Sequence, residues 1–170
     1  MNLKNWKAVM AIAVGVALTF SVAWNAGASP DRRDYEIEGT WLVTVTQANC
    51  STGAILSKFP SILTFAEGGT MAEDTTNPAF TPGERSAGQG FWRYEGKGAF
   101  HAKSIAFIHS PAAPPLRPGT QTIEQTIQFA SDNPEAWSST ASVEFADSNG
   151  APYFPSPVKV CVTATAVRFQ

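Results

Sequence analysis

Residues 38–50 read EGTWLVTVTQANC. From Trp41 onward apolar and polar side chains alternate. Trp41, Val43 and Val45 share one face, and Thr44 and Thr46 share the other. A period of two is the pattern of a strand with one buried and one solvated face. Gly39 and Trp41 stand at the head of the strand and Cys50 at its tail. The fold therefore has to supply a bed for the tryptophan and a partner for the cysteine.

Working outward, the chain repeats this design. Short β-prone runs fall at about 39–49, 58–66, 69–75, 89–95, 98–110, 119–130, 136–147 and 158–169. Gly, Pro, Asn and Asp punctuate them. No stretch carries a 3.6-residue apolar period, so little helix is expected. In the sixth run Ile123, Ile127 and Phe129 oppose Thr122, Glu124, Thr126 and Gln128. In the seventh, Trp137, Ala141, Val143 and Phe145 oppose Ser138, Thr140, Ser142 and Glu144. The fifth run leaves both faces open. His101, Lys103, Ile105, Phe107 and His109 lie on one, and Phe100, Ala102, Ser104, Ala106 and Ile108 on the other.

The connections alternate in length. Tight turns are read at Glu67–Gly69, Glu95–Gly98 and Ser131–Glu135, and long or proline-rich loops join the other runs. If the strands run up and down in order, the long loops gather at one end. The expected fold is all-β: an eight-stranded antiparallel up-and-down barrel with a tight base and an elaborated mouth. Closure of the first strand on the last removes exposed edges. A register with Cys50 opposite Cys161 puts Thr46 opposite Thr165, Val45 opposite Ala166 and Val43 opposite Arg168, with Trp41 beside them. Cys50 is expected at or just beyond the end of regular pairing.

Gly39-x-Trp41 at the head of an eight-strand meander resembles the lipocalin/calycin signature. That resemblance implies a tryptophan packed across the closed end of a barrel, under an arginine near the end of the last strand. Arg168 stands in the matching place. The Thr-Asp-Tyr element of lipocalins is absent. The stretches GTWLVTVTQANCSTGA, LTFAEGGTM, RSAGQGFW and SSTASVEFADSNG…CVTATAVRF resemble a group of small exported bacterial proteins that are functionally uncharacterised. This second resemblance spans most of residues 29–170 and implies no activity.

The first 28 residues read as a signal peptide. Lys4 and Lys7 precede an uncharged apolar run, Ala8–Ala23, and Ala26-Gly27-Ala28 fits the small-x-small cleavage pattern. A run of this length falls short of the roughly 20 residues that cross a bilayer, so no stable membrane anchor is expected after cleavage. Residues 29–37 read as a polar, loosely ordered lead-in and 38–170 as the barrel domain. A secreted or periplasmic location follows. In an oxidising compartment the two cysteines, Cys50 and Cys161, are expected to form a disulfide.

Composition narrows the function. Of 12 basic residues only 10 follow the leader, against 14 acidic ones, a balance of −4. They form no stripe, so a nucleic-acid partner is not expected. No cysteine or histidine spacing points to a metal, and no cofactor is expected. There is no G-x-S-x-G, and His101 and His109 are too far apart along one strand to share a site. Glu67, Glu73, Asp74, Glu84 and Glu95 read as solvated residues of turns and strand ends.

No catalytic constellation is therefore predicted. The expected function is non-covalent binding of a small apolar or amphipathic molecule inside the barrel. Phe59, Phe65, Trp92, Phe129 and Phe145, with Ile127 and Val143, are the expected lining. Arg85, in a loop at the mouth, is placed to hold a ligand carboxylate. The competing expectation is a filled core in a structural or protein-interaction module that uses its proline-rich loops. A barrel isomerase or cyclase is a third.

Overall fold

A computed structural model describes residues 35–109, 118–153 and 160–170. Residues 1–34 and the proline-rich segments 110–117 and 154–159 lie outside the described residues. Eight strands follow in order: β1 Gly39–Asn49, β2 Ile55–Ala66, β3 Thr70–Thr75, β4 Gly88–Gly96, β5 Ala99–Ile108, β6 Gly119–Ala130, β7 Asn133–Asp147 and β8 Val160–Arg168. Each pairs antiparallel with the next, and β8 pairs with β1 to close the barrel. This is the architecture that the alternation and the calycin resemblance imply.

The base carries the tight turns. Gly68 and Gly69 both take positive φ between β2 and β3, and Lys97 and Gly98 do so between β4 and β5. In the β4–β5 turn, positive φ at both central residues, Lys97 and Gly98, gives a hairpin whose twist matches that of its strands. The described residues 50–54, 76–87, 109, 118 and 148–153 follow or precede strands at the other end, the mouth.

The β1–β8 register differs from the expected one by two residues. Trp41 pairs with Arg168, Val43 with Ala166, Val45 with Ala164, Thr46 with Thr163 and Ala48 with Cys161. An even slip keeps every side chain on its face, so alternation alone does not detect it. The cause lies just past Asn49. Its side-chain Oδ1 accepts hydrogen bonds from the backbone N–H groups of Ser51 and Thr52, at 2.9 and 3.1 Å. This Asx turn curls the chain out of the ladder. Cys50 thus reaches Cys161 from beyond the last pair, with the Cα atoms 5.1 Å apart, and the two form a disulfide.

The open question on β5 resolves to Phe100, Ala102, Ser104, Ala106 and Ile108 inward. Ile105 and Phe107 stand outside, 48% and 61% exposed.

The lower half of the barrel is packed solid with aromatic rings. Trp41 touches Phe129 and Trp137, Phe129 touches Phe100, Phe100 touches Trp92, Trp92 touches Phe65, and Phe65 touches Trp137. These six contacts close a circuit across β1, β6, β5, β4, β2 and β7. Centroid separations of 5.6–6.4 Å with tilted or edge-to-face planes suit the ring quadrupoles. The end of the lead-in seals this floor from below, so its last residues are not loose. Ile37 is fully buried, its carbonyl accepts the Trp41 indole N–H at 2.8 Å, and Tyr35 packs on Phe129.

Arg168 completes the base. Its Cζ lies 4.4 Å from the Trp41 ring centroid. Its Nη1 and Nη2 donate to the carbonyls of Glu38 and Glu36, and the Glu135 carboxylate is 3.0 Å from Nε. A guanidinium both stacks and donates in its own plane, so one side chain ties the lead-in to the barrel.

Candidate functional site

Above the aromatic floor the inward positions change character. Ser61, Glu73, Ser104, Gln121, Gln125 and Ser139 are all buried there, interleaved with Val43, Phe59, Ile123, Ala141, Val143 and Ala164. Between them lies a cavity of about 60 Å³ that reaches the mouth at Gln47 and Asn77. The barrel is thus two-layered, with a filled floor and a partly open upper half of mixed polarity.

One wall of the upper half is held by a buried ion pair. Arg85 precedes β4 and continues its ladder by bridging to Ile108, which turns the guanidinium into the barrel. Its Nη2 bonds Oε1 of Glu73, its Nε bonds Oε1 of Gln121, and its Nη1 donates to the Ser86 carbonyl at 3.0 Å. The second Glu73 oxygen accepts from Ser104 at 3.4 Å. The Arg85 and Glu73 side chains are 5% and 6% exposed. Charges taken so far out of water persist only when paired and hydrogen-bonded, which is the arrangement here. Gly88 makes the room, because an added Cβ would lie 2.4 Å from Cγ of Glu73.

This placement corrects two expectations. Arg85 is not a rim group awaiting a carboxylate, since its donors are engaged inside the barrel. Glu73 is not a solvated turn residue.

Of the aromatic residues expected to line a ligand site, Phe59 borders the cavity. Phe65, Trp92 and Phe129 belong to the floor, and Phe145 stands half-buried near the top of β7. Trp41 and Arg168 meet at the base, and Cys50 and Cys161 staple the mouth. Among the lining residues that sequence reasoning missed are Gln121, Gln125 and Ser139. Their signal was parity: they occupy the same alternate positions as Ile123, Ile127 and Trp137.

The titratable groups outside the barrel form a separate cluster. His101 Nε2 lies 2.8 Å from Oε1 of Glu124, and Lys103 Nζ lies 3.2 Å from Oε2. The His101 hydrogen bond first, and Lys103 second, hold the Glu124 carboxyl below the usual glutamate value. Among the described residues no three His, Cys, Asp or Glu side chains gather as metal ligands. No protein-family model, no curated protein and no solved structure matches this chain.

Proposed function

We propose that the protein works outside the cytoplasm and binds a small apolar or amphipathic molecule, without covalent chemistry, in the upper half of its barrel. The carrying observation is the mixed-polarity cavity that reaches the mouth above a sealed floor. Small eight-stranded barrels either fill their interiors or hold one ligand. Here the aromatic floor takes up the filling and the upper half keeps space. Glu73 is the one titratable side chain among the lining residues, and Arg85 and Ser104 engage both its oxygens. That favours holding a molecule over transforming one. Export is supported by the leader-like first 28 residues and by a disulfide of the kind that persists in oxidising compartments.

The volume supports a second reading. A cavity of about 150 Å³ takes up benzene, and this one is less than half that size. A filled barrel that acts through its mouth loops as an interaction module fits that observation. On the binding reading the ligand seats one end in the cavity and leaves the rest in the mouth.

Native mass spectrometry of protein purified from its own host separates the two. Binding predicts a small non-covalent mass increment that denaturing solvent removes. A bare polypeptide mass from gently handled preparations would favour the interaction module.

A further inference from the structure

We infer that the molecule bound in the barrel is electrically neutral and presents hydrogen-bond acceptors, as a ketone, ester or lactone does, rather than a carboxylate or an amine. This rests on the barrel-binding reading above and names the chemistry of that site.

Four side-chain amides line the cavity: Gln47, Asn77, Gln121 and Gln125. In all four the carbonyl oxygen already accepts a hydrogen bond from the protein. Gln47 accepts from the Ser57 hydroxyl at 2.9 Å, Asn77 from the Ala79 backbone N–H at 3.0 Å, Gln121 from Arg85 Nε, and Gln125 from the Ser139 hydroxyl at 3.2 Å. A guanidinium N–H and a backbone N–H can only donate, so the orientations of Gln121 and Asn77 follow from chemistry. Each amide is left with an NH₂ group, and none of these has a partner among the described residues. Asn77, Gln121 and Gln125 are 9%, 4% and 8% exposed, so these residues lie inside the barrel. The Thr75 hydroxyl, also in the wall, is buried and unpartnered.

The charge balance points the same way. The one charged lining residue is Glu73, and Arg85, paired with it inside the barrel, compensates it. An entering carboxylate would meet the Glu73 charge with no spare cation beside it. An entering ammonium would set its own donors against the amide donors. A carbonyl or ester oxygen satisfies NH₂ groups that have no partner among the described residues, and a site rejects analogues that leave its polar groups unmatched.

The test compares 2-octanone, octanoate and octylamine with the full exported chain by heteronuclear NMR. 2-Octanone is expected to bind about tenfold or more tightly than the other two, and to move the side-chain NH₂ resonances of Gln121 and Gln125. Gln125→Glu, which replaces a donor with an acceptor, is expected to remove most of that preference; Gln125→Leu serves if the first variant misfolds. Equal or tighter binding of octanoate or octylamine would overturn the inference while leaving a binding barrel. So would binding that leaves both amide resonances unmoved. Failure of all three to bind would overturn the barrel-binding reading itself.

Discussion

At Gly39 the backbone sits at φ +119°, and an added Cβ would lie 2.8 Å from Nη1 of Arg168. The first residue of the Gly-x-Trp element thus serves the arginine as well as the turn into β1. Gly39→Ala is expected to cost roughly 1–3 kcal/mol from backbone strain alone, read as a lower urea midpoint. Trp41→Ala empties the centre of the floor and should cost roughly 3–5 kcal/mol. Arg168→Lys loses the stacked fork but keeps the charge and should cost about 1 kcal/mol. The two changes remove the same contact, so a double-mutant cycle should return a coupling of at least about 0.5 kcal/mol. Zero coupling would mean that the indole is supported by Phe129, Trp137 and the Ile37 carbonyl without the arginine. The buried pair behaves differently. Arg85→Met strands the Glu73 charge and should cost roughly 3–5 kcal/mol, while Arg85→Met with Glu73→Leu should regain most of the loss. A cost under about 1 kcal/mol for Arg85→Met alone would show that Glu73 does not depend on it.

Among the elements, β6 illustrates what a sequence discloses and what it hides. Its alternation places Ile123, Ile127 and Phe129 inward, and the same parity carries Gln121 and Gln125 inward with them. Reading only the apolar members of a face finds the wall and overlooks the groups that equip it. β5 resists the method for a different reason. The middle of its inward face is small, Ala102, Ser104 and Ala106, where Glu73 and Arg85 take up space. Large apolar side chains therefore stand on both faces, Phe100 and Ile108 inside and Ile105 and Phe107 outside. The β1–β8 slip was invisible because two residues is a whole period, and Arg85 was misplaced because a residue just before a strand reads as loop. The outer faces of β5 and β6 add a pH-dependent pair. Glu124 is held below its usual value, so its contribution to stability is present above the unfolded-state midpoint and fades as pH falls through the folded-state midpoint. An NMR titration should find Glu124 below the ordinary glutamate value. His101→Phe should raise that midpoint, and Lys103→Met should raise it less. A midpoint indifferent to both changes would remove the assigned cause.

For the whole molecule, closure is the governing feature. The Cys50–Cys161 disulfide spans 111 residues and joins the end of β1 to the start of β8 at the mouth, where the β1–β8 ladder ends. Constraining the unfolded chain over such a loop stabilises by roughly 2–5 kcal/mol. Urea unfolding with and without reductant should show that difference. The aromatic floor should stay packed in the reduced protein, because its contacts lie at the opposite end.

That the upper half of the barrel is a vessel and not core is tested most directly by Ala141→Leu. Ala141 faces the cavity from β7, between Gln125 of β6 and Val162 of β8. Three added carbons in open space are expected to leave the unfolding free energy within about 0.5 kcal/mol of the parent or to raise it. In a filled core the same change forces side chains off their rotamers and costs roughly 1–3 kcal/mol. Urea denaturation of this variant beside the parent decides: an unchanged or higher midpoint is predicted, and a loss in the overpacking range would contradict the account.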